Sequence, residues 1–250
     1  MNERLPRFAE LDIARGVVIF IMIFLHLLWD LDFFQVYPLN NDVYQFNKIF
    51  ASSFFMLVGI CLVIMTARKT PLEQFKWGLK IFNIGMGLSI ITLVFMPDRP
   101  ILFGVLHCIG LSIIISIPFL QIKRYTILVC SAFALIVMLL GLAIRTVIIE
   151  NPTIIQLIVG FHQSDSWKHT IDYFPLFPWL GIVLFGIVIG NILYKDGQRQ
   201  FGIPAIIQNK SSAVISFFGR HSLPVYLAHQ PVLIILIKYV VIPLRPLLNF

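Results

Sequence analysis

Charged side chains are scarce in this chain of 250 residues. Asp, Glu, Lys and Arg together make up 12%, about half of the share that is usual in soluble proteins. Apolar residues make up 58%, and the mean hydropathy is +0.90. Several apolar runs approach the roughly 20 residues that a membrane-spanning helix needs. The composition therefore excludes an ordinary soluble domain and predicts an all-α integral membrane protein that resides in a lipid bilayer.

Cysteines are also few, and the three present (Cys61, Cys108 and Cys130) all fall within apolar runs. An odd number of cysteines in such positions excludes a disulfide framework. The short ligand spacings that are typical of a metal site do not occur, so we expect no metal. The stretches between the apolar runs are too short for an independent soluble core. We therefore expect a single membrane domain over residues 1–250.

Seven helical spans account for the apolar runs. A further in-plane or re-entrant segment around Phe201–Phe218 would add an eighth element. The predicted spans are Leu11–Leu31, Phe46–Thr66, Phe75–Phe95, Ile101–Leu120, Tyr125–Ile148, Leu176–Tyr194 and Ser222–Ile242.

Acidic residues are outnumbered, 12 against 19 Lys and Arg, which gives a net charge of +7. In a soluble chain this excess would suggest a nucleic-acid partner. Here most of the basic residues fall on one side of the predicted spans, so we expect no nucleic acid. The positive-inside rule then puts the N-terminus in the cytoplasm and the C-terminus outside. We expect a multi-pass protein of the cell (plasma or inner) membrane.

The first span carries two residues that lipid disfavours, Arg15 and His26. They are eleven residues apart, which places both on one helix face, separated by about 16 Å along the axis. Ionisable groups within a membrane usually face a protein interior and mark a site. The first span is therefore the first candidate for a functional element.

Further titratable residues are expected at a similar height in the outer half. His26 lies about 8–9 Å inside the outer boundary by the helical rise, and His107 in the fourth span lies at a similar depth. Asp30 follows His26 by one turn, where it is placed to orient the imidazole. Asp172 precedes the sixth span. Each histidine has an alternative role as an interhelical hydrogen-bond partner, and Asp172 has one as an interfacial charge.

Basic residues are expected at the inner end. Arg15, Arg220 and His221 lie toward the cytoplasm, with His229 about 10 Å deep on the same side. Arginine suits phosphate because its planar fork binds two oxygens. A basic mouth that leads to a buried imidazole therefore suits a phosphate-bearing donor with a long reactive arm. The alternatives for Arg15 are snorkelling to the lipid headgroups or pairing with Asp12, and His229 is open between packing and lining a channel.

Aromatic residues, among them Trp179, cluster at the outer start of the sixth span. Such clusters usually form the aromatic belt at a membrane surface. Stacking of a sugar or an amphipathic acceptor on these rings is the alternative, which makes Trp179 a candidate substrate-binding residue.

Five segments carry a resemblance to a known family: RFAELDIARG, MIFLH, FGVLHCIGL, DYFPLFPWLGIVLFGIVIG and GRHSLPVYLAHQP. In this order they resemble the prokaryotic members of the heparan-α-glucosaminide N-acetyltransferase catalytic-domain family, over nearly the whole chain. The spacing of Arg15 and His26 also resembles the Arg-x10-His signature of the wider acyltransferase-3 group. The resemblance implies acyl transfer across the membrane, from cytosolic acetyl-CoA to an outer hydroxyl or amine.

These observations together predict an acyltransferase that acts on an extracytoplasmic glycan or lipid-linked acceptor. Arg15, with Arg220 or His221, would hold the donor's phosphates. His26 would act as the general base or as a transient acyl carrier, oriented by Asp30 and assisted by His107. A proton-coupled transporter or flippase and a non-catalytic membrane partner are the alternatives, and the absence of an inverted repeat argues against the transporter. A homo-oligomer is left open.

Overall fold

The structure is a computed structural model that describes residues 7–162, 170–203 and 210–244. Helices dominate these residues, and the strand-like pairing found among them consists of isolated bridges, Phe103 with Tyr173 and Ile148 with His162. In chain order the α-helices are α1 (Ala9–Phe33), α2 (Asn41–Thr66), α3 (Pro71–Phe95), α4 (Val105–Gln121), α5 (Thr126–Ile144), α6 (Ile154–Val159), α7 (Leu176–Leu193), α8 (Lys210–Arg220) and α9 (Ser222–Leu236). Helix α9 continues beyond Leu236 through the helical segments Ile237–Val241 and Ile242–Leu244.

Each of the seven predicted spans corresponds to a helix. Within the described residues, six helical segments are long and apolar enough to cross a membrane, and α4 is a shorter apolar helix at the position of the seventh. The prediction of an all-α, multi-pass membrane protein is therefore confirmed. The cytoplasmic N-terminus and the outer C-terminus stay predictions.

Local chemistry sets two helix starts that hydropathy alone places differently. Helix α3 begins at Pro71, four residues before the predicted start, because Thr70 and Glu73 form a reciprocal capping box. Helix α4 begins at Val105, four residues later than predicted. Its N-cap residue Gly104 is extended, and Phe103 just before it pairs with Tyr173.

The contacts divide the chain into two compact units. The first, the terminal unit, combines Met1–Phe54 with Gly202–Phe250, and the second, the central unit, is Phe55–Phe201. The expectation of one continuous domain stays a prediction.

In the terminal unit, α8 packs closely along the first half of α1. A side chain at Gly16 would overlap the backbone and side chain of Ile215, and one at Gly219 would overlap the backbone of Asp12. Small residues of this kind let two helix backbones approach in a membrane, where packing replaces the hydrophobic driving force. The pairing of Asp12 with Gly219 and of Gly16 with Ile215 shows that the two helices run antiparallel.

Helix α8 also bears on the possible in-plane segment around Phe201–Phe218. Residues 204–209 of this segment lie outside the described residues. From Lys210 onward the segment is helical and belongs to α8.

In the central unit, glycines let α7 approach two neighbouring helices. Gly186 of α7 lies against the backbone of Gly59 in α2, and Gly190 lies against Ile60. On another face of α7, Gly181 lies against Met138 of α5. These three glycines therefore let α7 pack closely against α2 and α5.

The contact between α1 and α8 leads to a testable expectation. The change Gly16→Ala should lower the melting temperature of the detergent-solubilised protein, because overpacking of a tight interface costs about 1–3 kcal/mol. The matched control is Gly87→Ala on α3, where a Cβ would meet no atom within 4 Å. That control should melt at or slightly above the wild-type temperature, since Ala favours a helix over Gly. A Gly16→Ala protein as stable as the Gly87→Ala control would contradict the packing.

Candidate active site

Two histidines from separate helices meet in the terminal unit. His26 lies on α1 and His229 on α9, and their ring centroids are 4.8 Å apart with the ring planes at 84°. Edge-to-face contact of this kind is a preferred packing of aromatic rings. The structure thus brings two of the predicted site residues into direct contact.

The contact corrects the depths expected from the sequence. Counting residues from the helix ends put His26 in the outer half of the membrane and His229 in the inner half. The rings lie side by side instead. That count treated the ends of all spans as lying at the membrane surfaces, whereas packing between helices sets how far each helix is shifted along its neighbour.

Each of these imidazoles is held through the same ring nitrogen. His26 Nδ1 lies 2.9 Å from the carbonyl oxygen of Met22, and His229 Nδ1 bonds to the carbonyl oxygen of Tyr226. Because a carbonyl oxygen only accepts, each Nδ1 must carry a proton. In the neutral rings the lone pair is then on Nε2. Both histidines therefore have a basic Nε2 atom.

A carboxylate and an amide close in sequence to the two histidines are hydrogen bonded to each other. Asp30 is 1% exposed, and its Oδ1 accepts a hydrogen bond of 2.7 Å from Nε2 of Gln230 on α9. Asp30 is one turn from His26 along α1, and Gln230 directly follows His229. We call His26, Asp30, His229 and Gln230 the histidine cluster. The orienting role predicted for Asp30 stays a prediction, since the hydrogen bond that its carboxylate accepts comes from Gln230.

Three buried atoms of the histidine cluster have no hydrogen-bond partner among the described residues: Asp30 Oδ2, Gln230 Oε1 and His229 Nε2. Leaving such a group unsatisfied costs about 1–3 kcal/mol, so each instance calls for an explanation. In the tautomer described above all three atoms are acceptors. The cluster therefore suits a bound group that carries N–H or O–H hydrogens. The described residues contain no group of three or more His, Cys, Asp or Glu side chains that is arranged to hold a metal ion.

Sequence reasoning did not single out Gln230. The sequence feature that could have identified it is a polar side chain within an apolar span, between His229 and Pro231. Glutamine does not titrate, so a search for ionisable residues passes over it.

The basic residues predicted to bind phosphate lie near the junction of α8 with α9 and on the first turns of α1. The side chain of Arg15 is 37% exposed, and its Nη1 is 3.5 Å from Asp12 Oδ1. The pairing considered as a structural alternative is therefore present. Arg220 and His221 are exposed, and each donates to a backbone carbonyl of α8. All three remain accessible to a ligand.

His107 lies in the central unit and is 1% exposed. Its Nδ1 accepts a hydrogen bond of 3.2 Å from the N–H of Gly104, and its Nε2 is 3.4 Å from the hydroxyl of Ser89. The rings of Phe82 and Phe103 pack against it. These contacts occupy both ring nitrogens and cap the start of α4. An assisting role in catalysis stays a prediction.

Asp172 also serves the start of α4. Its Oδ2 accepts a hydrogen bond of 3.0 Å from the N–H of Val105, and a side chain at Gly104 would overlap this carboxylate. A negative charge is favourable at a helix N-terminus. Burial nevertheless raises the pKa of Asp172 to about 6, against the lowering effect of the Val105 hydrogen bond. The predicted role in substrate binding is untested, and the observed role is that of a helix cap.

Trp179 belongs to an aromatic cluster of the central unit. Its ring centroid is 4.8 Å from that of Phe55 and 4.9 Å from that of Phe174. Phe55 is fully buried. Part of the Trp179 surface is thus used in packing, and stacking against a substrate stays a prediction.

A known family of proteins matches the chain over most of its length. The family described as heparan-alpha-glucosaminide N-acetyltransferase, catalytic, matches residues 7–231. This range contains the histidine cluster and all of the site residues predicted from the sequence. No curated protein and no solved structure matches the chain.

The raised pKa of Asp172 predicts a pH-dependent contribution to stability. Below about pH 4 the carboxyl is protonated in the folded and the unfolded states. As the pH rises toward and beyond 6, the unfolded state ionises first, so stability is lost. The wild type should therefore lose stability relative to Asp172→Asn between pH 4 and 7, by on the order of 1–3 kcal/mol.

Thermal melts of the two detergent-solubilised proteins across this pH range measure the effect. The matched control is Asp98→Asn, at an exposed carboxylate in a turn, which should keep the wild-type profile. If the melting temperatures of Asp172→Asn and the wild type changed in parallel with pH, the result would contradict the raised pKa of Asp172.

Proposed function

This chain belongs to the heparan-alpha-glucosaminide N-acetyltransferase catalytic-domain family, and we propose that it moves an acetyl group from cytosolic acetyl-CoA to an extracytoplasmic hydroxyl or amine. The family and the apolar helices make it a transmembrane acetyltransferase in general terms. The donor, the acceptor and the site residues are what we propose. A glycan or a lipid-linked precursor at the plasma or inner membrane is the acceptor class that we favour.

The observation that carries the proposal is the histidine cluster itself. His26 and His229 each have Nδ1 committed to a backbone carbonyl, which leaves a basic Nε2. Asp30 Oδ2 and Gln230 Oε1 add two buried acceptors without a partner among the described residues. Acetyl transfer needs a base that removes the proton of the attacking hydroxyl or amine. Acceptors around that base would orient the hydrogens of the attacking group.

We assign the proton transfer to His26. Its Nε2 would accept the proton that the attacking hydroxyl or amine gives up, and would return it to the departing thiolate. Its Nδ1–H bond to Met22 fixes the ring and its tautomer during this exchange. His229, which contacts the His26 ring, belongs to the same site rather than to a separate donor mouth. A transient acyl group on His26 is the second route, and protein-bound label distinguishes it from direct transfer.

Arg15 and Arg220 are the residues that would hold the phosphates of acetyl-CoA. Both side chains are accessible, and the packing of Gly219 on Asp12 brings the end of α8 next to the first turns of α1. When bound, acetyl-CoA supplies the activated thioester and the thiol that leaves. His221 is exposed at the same junction and would contact the donor there.

A proton-coupled transporter or flippase is the second candidate, and the same cluster motivates it. Buried imidazoles and a carboxylate within a membrane also form proton relays. The two functions differ in one observable. Transfer consumes thioester without a proton gradient, whereas transport requires the gradient and leaves the thioester intact.

Replacement of His26 should abolish most of the activity. In His26→Ala, kcat for release of CoA from radiolabelled acetyl-CoA should fall by about 10²–10⁴-fold, the usual contribution of one positioned base. The protein is purified in detergent and supplied with a panel of glycan and amine acceptors. The matched control is His162→Ala in the loop after α6, which should keep wild-type turnover. Wild-type turnover by well-folded His26→Ala would rule out the assignment.

Replacement of Arg15 should weaken donor binding rather than chemistry. In Arg15→Ala, KM for acetyl-CoA should rise by on the order of tenfold, which corresponds to about 1.4 kcal/mol, with a smaller change in kcat. The KM of Arg15→Lys should lie between those of the wild type and Arg15→Ala, because lysine keeps the charge but lacks the planar fork. The matched control is Arg124→Ala, an arginine of the central unit that contacts the ring of Tyr125. An unchanged KM in Arg15→Ala would contradict a role in donor binding and leave Arg15 with its structural pairing to Asp12.

A further inference from the structure

Gln230 makes a side-chain hydrogen bond between α9 and α1 at the level of the two histidines. Its Nε2 donates to Oδ1 of Asp30 over 2.7 Å, across 200 positions of the chain. The distance is at the short end for an N–H···O bond, as expected when the acceptor carries charge. This bond ties the residue next to His229 to the residue one turn from His26.

The hydrogen bond from Gln230 satisfies one of the two oxygens of the buried Asp30 carboxylate. Asp30 is 1% exposed, while its Oδ2 has no partner in the part of the chain that the structure describes. A buried carboxylate is costly unless it is paired and hydrogen bonded. An amide supplies one N–H and no charge, so Gln230 holds the carboxylate in place without neutralising it. The second carboxylate oxygen therefore stays available as a buried acceptor.

A second glutamine of this chain shows what a purely structural one looks like. Gln74 on α3 is fully buried. Its amide donates to the carbonyl of Lys69, and its Oε1 accepts from the hydroxyl of Thr66. Both ends of Gln74 are satisfied. Gln230 differs, since its Oε1 is buried without a partner among the described residues.

We propose that Gln230 is a positioning residue of the acetyl-transfer site: its amide fixes the Asp30 carboxylate, one turn from His26, so that the second carboxylate oxygen stays available as an acceptor. The inference rests on the proposed function. Gln230 acts through Asp30 and accepts no proton itself. Loss of the amide would let the carboxylate rotate or draw water into the site. The geometry around the base would then be lost, although the fold would be kept.

A double-mutant cycle in purified protein tests this role. The variants are Gln230→Met, which keeps the length of the side chain and removes the donor, Asp30→Asn, and the two combined. In Gln230→Met, kcat for CoA release should fall by about 10–10²-fold, as misplacement near a reacting group does, with KM for acetyl-CoA within about twofold. The double variant should be no slower than the slower single variant, because residues that act as a unit are non-additive.

The controls separate positioning from folding. Gln74→Met should lower the melting temperature and leave kcat unchanged. Gln230→Leu has a side chain of similar size, removes the donor and adds no charge, so it should also lower kcat. It carries the test if Gln230→Met fails to fold.

Three results would overturn the inference. A wild-type kcat in folded Gln230→Met would contradict the role of Gln230 and leave the proposed function intact. Multiplicative losses in the double variant, in step with losses of melting temperature, assign Gln230 to stability. A wild-type protein that transfers no acetyl group to any acceptor overturns the proposed function, and the inference with it.

Discussion

The hydrocarbon of a bilayer offers no hydrogen bonds, so each polar group that enters it must be satisfied by the protein itself. The histidine cluster is built under this constraint. Met22 and Tyr226 supply the carbonyls that hold the two imidazoles, and Gln230 supplies the donor for Asp30. These hydrogen bonds leave three buried acceptor atoms: Asp30 Oδ2, His229 Nε2 and Gln230 Oε1. These buried acceptors without a partner among the described residues make the cluster a candidate site for groups that carry N–H or O–H hydrogens.

The same constraint explains why glycine matters to both units. Lipid tails are as apolar as leucine, so helices in a membrane associate through close packing and not through burial from water. Gly16 and Gly219 bring α8 against α1, and Gly59 and Gly186 bring α2 against α7. Close packing of rigid helices fixes their relative shift. That shift decides which polar side chains come into contact.

The sequence predicted the elements well and their mutual placement less well. The seven spans followed from hydropathy, and the shared face of Arg15 and His26 followed from the helical period. The start of α4 did not, because Gly104 and its neighbours are held by contacts with distant residues. Nor did the use of His107 and Asp172 as caps of that helix. Titratable residues attract attention as catalytic candidates, whereas caps depend on a backbone N–H whose position the sequence does not give.

Composition and periodicity by themselves determined that the chain is a bundle-forming, all-α membrane protein with ionisable residues on its first span. These properties depend on local chemistry, namely residue hydropathy and the 3.6-residue turn. Only the tertiary structure decided that His26 meets His229 and that Asp30 is held by Gln230. These partners are some 200 residues apart in the chain. Their pairing depends on how far α9 is shifted along α1, which is set by side-chain packing between helices and leaves no periodic signal in either helix.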